Sequence, residues 1–244
     1  MTAQITIVSL FPSLLDTNGD AANARVLARR ADWAGTAARV VVVESVEDLP
    51  AGVDAVVIGS GTDADLLPAR DALMTLHDEL RRWATEGVPI LAVGTGWELL
   101  SGGVELANGT EIDGLGVLPG RAVPRQDRVS DDLVVTSRYG RLIGYENHAR
   151  DYIHAEGSPL GRVLYGSGNG RDSRQEGVVM GDVFGTHLHG PVLAKNPGLT
   201  DHLLTSVLAR EGVSYAPAAG AGFVDEMARA ARNQIAVRLG LDSE

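Results

Sequence analysis

Four short β-branched or apolar runs punctuate the first ninety-three residues: ITIVSL (Ile5 to Leu10), ARVVVV (Ala38 to Val43), DAVVI (Asp54 to Ile58) and PILAV (Pro89 to Val93). Runs this short and this apolar are stable only when both faces are covered, so their alternation with helical patterns predicts a parallel sheet flanked by helices. The spacing predicts helices over Ala22 to Trp33 and over Asp65 to Glu86, where Leu66, Leu73, Leu76, Leu80 and Trp83 recur at helical intervals. PILAV, apolar throughout, belongs at the sheet centre; it stops at Gly94-Thr95-Gly96, and Trp97 to Leu100 opens another helix.

From about Leu115 the pattern becomes short strands and turns, at Leu133 to Val135, Leu142 to Tyr145, Arg162 to Tyr165 and Gly177 to Val183, with a turn-rich loop from Gly166 to Arg171. This block reads as an antiparallel extension of the α/β sheet. Asp201 to Arg210 and Phe223 to Leu239 read as closing helices joined by the flexible PAAGAG stretch, with Phe223, Met227, Ala231 and Ile235 on one face. The expectation is one domain spanning residues 1–244.

The 244 residues suffice for a large buried core, and 44 % hydrophobic with 22 % charged residues excludes wholesale disorder. No apolar run approaches the roughly 20 residues that cross a bilayer, and the N-terminus lacks the pattern of a signal peptide, so a soluble, cytoplasmic protein without a membrane span is expected. A net charge of -11 argues against nucleic acid as the partner. The absence of cysteine excludes disulfides, thiolate metal sites and a cysteine nucleophile.

Pro89 to Leu100, PILAVGTGWELL, has the layout of a nucleophile elbow, in which a reactive side chain sits on a tight strand-to-helix turn and the next backbone N–H faces a developing oxyanion. It equally fits a plain strand–turn–helix junction, or one that binds phosphate. Its glycines are too few and wrongly spaced for a dinucleotide fingerprint or a P-loop.

A second segment, FGTHLHGPVLAKN (Phe184 to Asn196), narrows the reading. Together the two resemble the class I glutamine amidotransferases of the cobyric-acid-synthase-like (CobB/CobQ) group, whose elbow reads like A-I-C-G-G-Y-Q and whose histidine motif reads like G-T-Y-L-H-G-P. Four further stretches resemble the GatD subgroup, glutaminase subunits that work with the Mur-ligase-like protein MurT: LFPSLLDTNGDAAN (Leu10 to Asn23), GSGTD (Gly59 to Asp63), GYENH (Gly144 to His148) and HGPVLAKN (His189 to Asn196).

The resemblance implies a flavodoxin-like class I amidotransferase fold, no cofactor, glutamine or a related small molecule in the pocket, and a MurT-like partner in peptidoglycan lipid II amidation. Members attack the glutamine carboxamide with a cysteine thiolate assisted by a histidine. By position the nucleophile falls on Gly94 and the histidine on His189. The oxyanion hole falls on Thr95 with the Ser60-Gly61 loop, and the residue that holds substrate on Arg128. The resemblance further implies that the group orienting the histidine comes from the partner. Gly94 has nothing to attack with, and Thr95 would need strong activation. Departures surround it: Trp97-Glu98 for Tyr-Gln, Thr62 for Gln, and Ala149-Arg150 for Gly-Gly. A naturally degenerate glutaminase is therefore the leading expectation. A glutaminase with an unrecognised nucleophile, or a small-molecule binding or sensor protein using the vacated pocket, are the alternatives.

Other residues have ordinary explanations. His187 and His189 lack a third metal ligand nearby, so no metal is expected. His148 reads as a hydrogen-bonded structural histidine. Asp16, Asp20 and Asn23 are either pocket rim or helix-capping residues. Trp33, Trp83 and Trp97 read as core or interface, and Arg29-Arg30 as a solvated helix face.

Overall fold

The computed structural model describes residues 4–155, 158–170 and 173–244, so Arg171 at the end of the turn-rich loop lies outside the described residues. In chain order the elements are β1 (Ile5–Leu10), α1 (Ala22–Trp33), β2 (Ala38–Val43), β3 (Ala55–Ile58), α2 (Leu66–Met74), α3 (His77–Thr85), β4 (Ile90–Val93) and α4 (Thr95–Leu100). Then follow β5 (Gly103–Glu105), β6 (Glu111–Asp113), β7 (Arg121–Ser137), β8 (Gly140–Ile153), β9 (Gly161–Tyr165), β10 (Gln175–Glu176), β11 (Val178–Met180) and β12 (Val183–Thr186). The helices α5 (Val192–Lys195), α6 (Pro197–Arg210) and α7 (Gly222–Arg238) complete the chain.

The first sheet has the order β11-β12-β4-β3-β1-β2, parallel throughout except for β11 at its edge. Its side chains alternate between two cores, as strand geometry requires. Val8, Leu10, Val56, Ile58 and Ile90 pack with Leu66, Leu73, Leu80, Trp83 and Trp97 on one face. Ile5, Ile7, Val57, Leu91 and Val93 pack with Leu27, Ala31, Leu203 and Val207 on the other. The block expected as an antiparallel extension of this sheet is instead a second sheet, β10-β9-β7-β5-β6 with β8 paired to β7, antiparallel except where β5 meets β7.

Several expected elements take a different shape. The helix expected over Asp65 to Glu86 is two, broken where Leu76 leaves helical geometry (φ -109°, ψ 15°) and Thr75 turns its hydroxyl back to the Ala72 carbonyl. The short strands at Leu133 to Val135 and Leu142 to Tyr145 are the turn end of one long hairpin, β7–β8. The strand expected over Gly177 to Val183 is the hairpin β11–β12, turned at Gly181 with φ +59°.

Helix α7 does not dock by the expected stripe. Of that stripe only Ile235 is half-buried, packed against Val134, Ile143 and Ala236; Phe223 is 73 % exposed and Met227 and Ala231 are exposed, whereas Ala228 and Ala236 face inward. An ion-pair clamp fastens it instead. The buried Arg30 guanidinium donates to Asp201 on α6 (2.5 and 2.9 Å) and to Asp225 on α7 (2.6 and 3.0 Å). Arg30 is thus no solvated residue, while its neighbour Arg29 stacks over Trp33.

Candidate active site

Four adjacent strands of the first sheet, β1, β3, β4 and β12, end on the same side, and the loops that follow them converge. Open α/β sheets place their ligands at such carboxyl ends. All six residues expected from sequence, Gly94, His189, Ser60, Gly61, Thr95 and Arg128, line one cavity of about 170 Å³ there. Asn18, Asp63 and Glu98, together with Asn147 and Arg150 from the β8 strand, line it too.

Gly94 is the turn between β4 and α4. Its φ of 53° and ψ of -120° form a conformation that side chains rarely tolerate. Its N–H donates to the Thr186 carbonyl at 2.9 Å, which ties the turn to the loop carrying His189. A β-carbon at position 94 would stand 2.8 Å from His189 Cε1 and 2.9 Å from Ser60 Cβ, closer than carbon atoms approach. Two residues on, Gly96 donates to the Gly59 carbonyl at 3.0 Å, and a β-carbon there would meet Ile58 Cγ2 at 2.6 Å. The two glycines thus serve different ends, one backbone geometry and the other close approach of the β3 loop.

His189 is 1 % exposed, and its N–H donates to the Tyr145 carbonyl at 2.8 Å. Its Nδ1 lies 2.8 Å from Asp20 Oδ2, on the loop after β1, so a carboxylate of the same chain faces the imidazole. With Nδ1–H donating to Asp20, the neutral ring presents Nε2 as an acceptor, and Nε2 is buried with no partner among the described residues. The same Asp20 oxygen accepts the Ser60 hydroxyl at 2.7 Å, and Ser60 Oγ in turn accepts from Asn18 Nδ2 at 3.0 Å. Of the three Asx candidates, Asp20 is a site residue. Asp16 accepts the Ala21 N–H, and Asn23 accepts the Leu193 N–H.

Thr95 commits its hydroxyl to the Gly61 carbonyl at 2.9 Å. Among the described residues no hydrogen bond is made by the backbone N–H of Thr95 or Gly61, which leaves both amides available to an oxygen in the cavity. Arg128 donates through Nε to Asn147 Oδ1 at 2.8 Å and remains exposed.

Two of the departing positions meet. Arg150 Nε donates to Glu98 Oε2 at 2.9 Å, with both side chains buried, and its Nη1 donates to Asp63 Oδ1 at 2.8 Å. Burial alone would lower the Arg150 pKa, but the two carboxylates outweigh it and hold the guanidinium above its ordinary value. The space that Gly-Gly would leave open is thus filled by a buried ion pair.

His148, which also lines the cavity, leads into a second polar cluster. His148 Nδ1 lies 2.6 Å from the Arg150 carbonyl, to which its N–H donates as a structural histidine does, and the ring stacks on His187 with centroids 4.0 Å apart. Burial, reinforced by His148, keeps His187 well below the usual imidazole range, while burial pushes Glu176 up. Glu176 Oε1 accepts the Thr186 hydroxyl at 2.6 Å and the His187 N–H at 2.8 Å. Trp97 and Trp83 are core residues, and Trp97 stacks on Tyr152 at 4.1 Å. Among the described residues no group of three or more His, Asp or Glu side chains is placed to hold a metal ion.

Sequence reasoning missed the roles of Asp20 and of Arg150. Asp20 lay in an Asx-rich loop that caps a helix equally well, and only the fold brings it to His189, 169 residues away.

Comparison with known proteins agrees with this geometry. Residues 7–197 match the model of the CobB/CobQ-like glutamine amidotransferase domain. The chain is 31 % identical over 216 residues to the lipid II isoglutaminyl synthase (glutamine-hydrolyzing) subunit GatD of Staphylococcus aureus, covering 88 % of each chain. It is 29 % identical over 213 residues to the same subunit of Streptococcus pneumoniae, covering 85 % of this chain and 82 % of that one. Among solved structures, a glutamine amidotransferase superposes with a TM-score of 0.55 at 23 % identity, over 84 % of this chain and 99 % of the other. PurLQS of Thermotoga maritima gives 0.54 at 17 % identity, over 86 % and 99 %. These two likenesses concern the fold.

Proposed function

Because the chain belongs to the family of CobB/CobQ-like glutamine amidotransferase domains, we propose that it is a GatD-like subunit whose own pocket does not hydrolyse glutamine. It would act in the cytoplasm beside a MurT-like Mur ligase in the amidation of peptidoglycan lipid II. The assignment to lipid II rests on likeness to the two GatD subunits. The loss of hydrolysis rests on Gly94 at the elbow.

Amide hydrolysis through an acyl-enzyme needs an atom that attacks the carboxamide carbon, a base that takes its proton, and donors for the oxyanion. Two of the three are in place. Asp20 fixes the His189 ring so that Nε2 is the basic nitrogen, and the Thr95 and Gly61 amides are open. The elbow position itself offers no group to lose a proton, and the Ser60 hydroxyl donates to Asp20. Gly94 has no side chain, the chain holds no cysteine, and the Thr95 hydroxyl is committed to Gly61. The observation that carries the reading is the crowding at Gly94: with 2.8 and 2.9 Å to its neighbours, the turn leaves no place even for a β-carbon.

The experiment is a glutaminase assay on the purified chain, alone and with the MurT-like partner. Ammonia release is expected to stay at background in both. Turnover that His189→Ala abolishes would refute the proposal and favour a glutaminase with another nucleophile. A second reading, a binding protein that uses the pocket without chemistry, is favoured by the buried, unpartnered His189 Nε2 beside two open amides. Its mark would be a small molecule retained through purification and lost in His189→Ala.

A further inference from the structure

We infer that Ser60 closes the elbow: its side chain occupies the room that a side chain at position 94 would need, and Gly94 and Ser60 form one coupled unit. The inference deepens the reading of a non-hydrolysing pocket and rests on it.

Three observations carry it. Ser60 sits between two glycines that cannot bear a side chain. A β-carbon at Gly59 would run into the Leu15 carbonyl oxygen, and one at Gly61 would meet the Leu14 carbonyl oxygen at 2.5 Å. Position 60 alone of these three carries a side chain, and its Cβ faces Gly94 across 2.9 Å measured to a β-carbon built there. Third, the hydroxyl is not spare volume. It donates to Asp20 Oδ2 at 2.7 Å, the oxygen that also holds His189 Nδ1 at 2.8 Å, and it accepts from Asn18 at 3.0 Å. Ser60 is 2 % exposed and its hydrogen bonds are made within the site. A residue at 94 with any side chain would push on Ser60 and on the imidazole together, and Ser60 is anchored to the carboxylate that fixes that imidazole.

Ser60 is thus a positioning residue. It packs the turn where no side chain projects from β4, and it shares a carboxylate with the histidine. The consequence is that restoring a thiol at the elbow is not enough to restore its environment. The facing serine must be removed as well.

The native chain contains no cysteine, so a cysteine placed at 94 is the only thiol and reports on its own surroundings. The test compares Gly94→Cys in three backgrounds: Ser60 as it stands, Ser60→Gly and Ser60→Ala. Two quantities are read, the midpoint of thermal unfolding and the pH profile of thiol reaction with a chromogenic disulfide. In the native background Gly94→Cys is expected to lower the midpoint and to react slowly. In the Ser60→Gly background the midpoint is expected to recover in part, and reaction at neutral pH to rise about tenfold or more, with its pH profile displaced downward by the neighbouring imidazole. Ser60→Ala keeps the offending β-carbon and is expected to behave like Ser60. Equal cost and equal reactivity of the introduced thiol in all three backgrounds would overturn the inference, as would recovery in Ser60→Ala equal to that in Ser60→Gly. If Gly94→Cys does not fold with Ser60 present but folds with Ser60→Gly, the coupling is supported directly. If it folds in no background, Gly94→Ala is compared in the same three, with the same expected order of midpoints. Glutamine turnover by the unmodified protein would instead refute the non-hydrolysing reading and leave the coupling to be judged by these midpoints.

Discussion

Replacing Arg150 by alanine is expected to cost about as much stability as any single change in the site. The guanidinium is paired with two carboxylates of unequal kind. Glu98 is 3 % exposed in its side chain and Asp63 is 60 % exposed. Losing the exposed partner costs roughly 0–1 kcal/mol, because water replaces the cation. Leaving the buried Glu98 charge without its cation costs about 3–5 kcal/mol. Some of this is returned, since roughly 1.5–2 kcal/mol of side-chain freedom is regained when a long side chain is no longer fixed. A net loss of about 3 kcal/mol is expected, which at ~2–4 °C per kcal/mol for a chain of this size lowers the unfolding midpoint by roughly 6–12 °C. Differential scanning calorimetry reads this directly. A further outcome follows from the same cause. Arg150→Met combined with Glu98→Gln recovers most of the loss, since neither member is then a buried lone charge. A midpoint within about 1 °C of the native protein, against the roughly 6–12 °C worked from this pair, would refute the reasoning. So would a double variant no more stable than Arg150→Ala.

Asp20→Asn is expected to leave the fold intact but loosen the imidazole, seen by nitrogen chemical shifts as loss of the fixed His189 tautomer, with a stability cost of about 1–3 kcal/mol for the weakened pair of hydrogen bonds. His187, held by burial well below the usual imidazole range, makes the protein acid-labile: the unfolded chain binds a proton there below about pH 6.5 while the folded one does not, so stability falls as pH drops through that value. His187→Phe is expected to flatten that limb, by up to ~1.4 kcal/mol per pH unit in denaturant titrations between about pH 5 and 6.5. Arg30→Met should cost roughly 2–3 kcal/mol and expose the start of α7 to protease, because Asp201 and Asp225 lose their shared cation; unchanged protease resistance would show that apolar contacts alone dock the helix.

The parallel sheet was legible because β1, β3 and β4 are buried along their whole length and therefore largely apolar, and the more exposed edge strand β2 ends in a run of valines; β1 and β2 were readable to the residue. The long hairpin was not. Residues such as Arg125, Asp127 and Asp132 break the apolar pattern because much of β7 is exposed, so only the buried run near its C-terminal end, Leu133 to Val135, carried a signal. Helix α7 misled for the opposite reason: an apolar stripe exists in its sequence, but the Arg30 clamp turns another face inward. In the site, residues on sharp turns or in ordered motifs, Gly94, Thr95 and His189, could be found from sequence. Residues that act by meeting a distant partner could not. Nothing local distinguishes Asp20 from a capping aspartate, or Arg150 from a surface arginine, until β8 carries the latter to Glu98, 52 residues away.

The bond between Asp20 and His189 joins the first strand-to-helix loop to the last. A cavity closed in this way exists only when the two loops are docked, so any molecule that lodges in it resists unfolding by mass action, by about 2.7 kcal/mol at a hundredfold excess over its dissociation constant. A melting curve therefore becomes a detector of ligands that needs no turnover to follow, and a panel of amides and amino acids can be ranked by the temperature at which those two loops part.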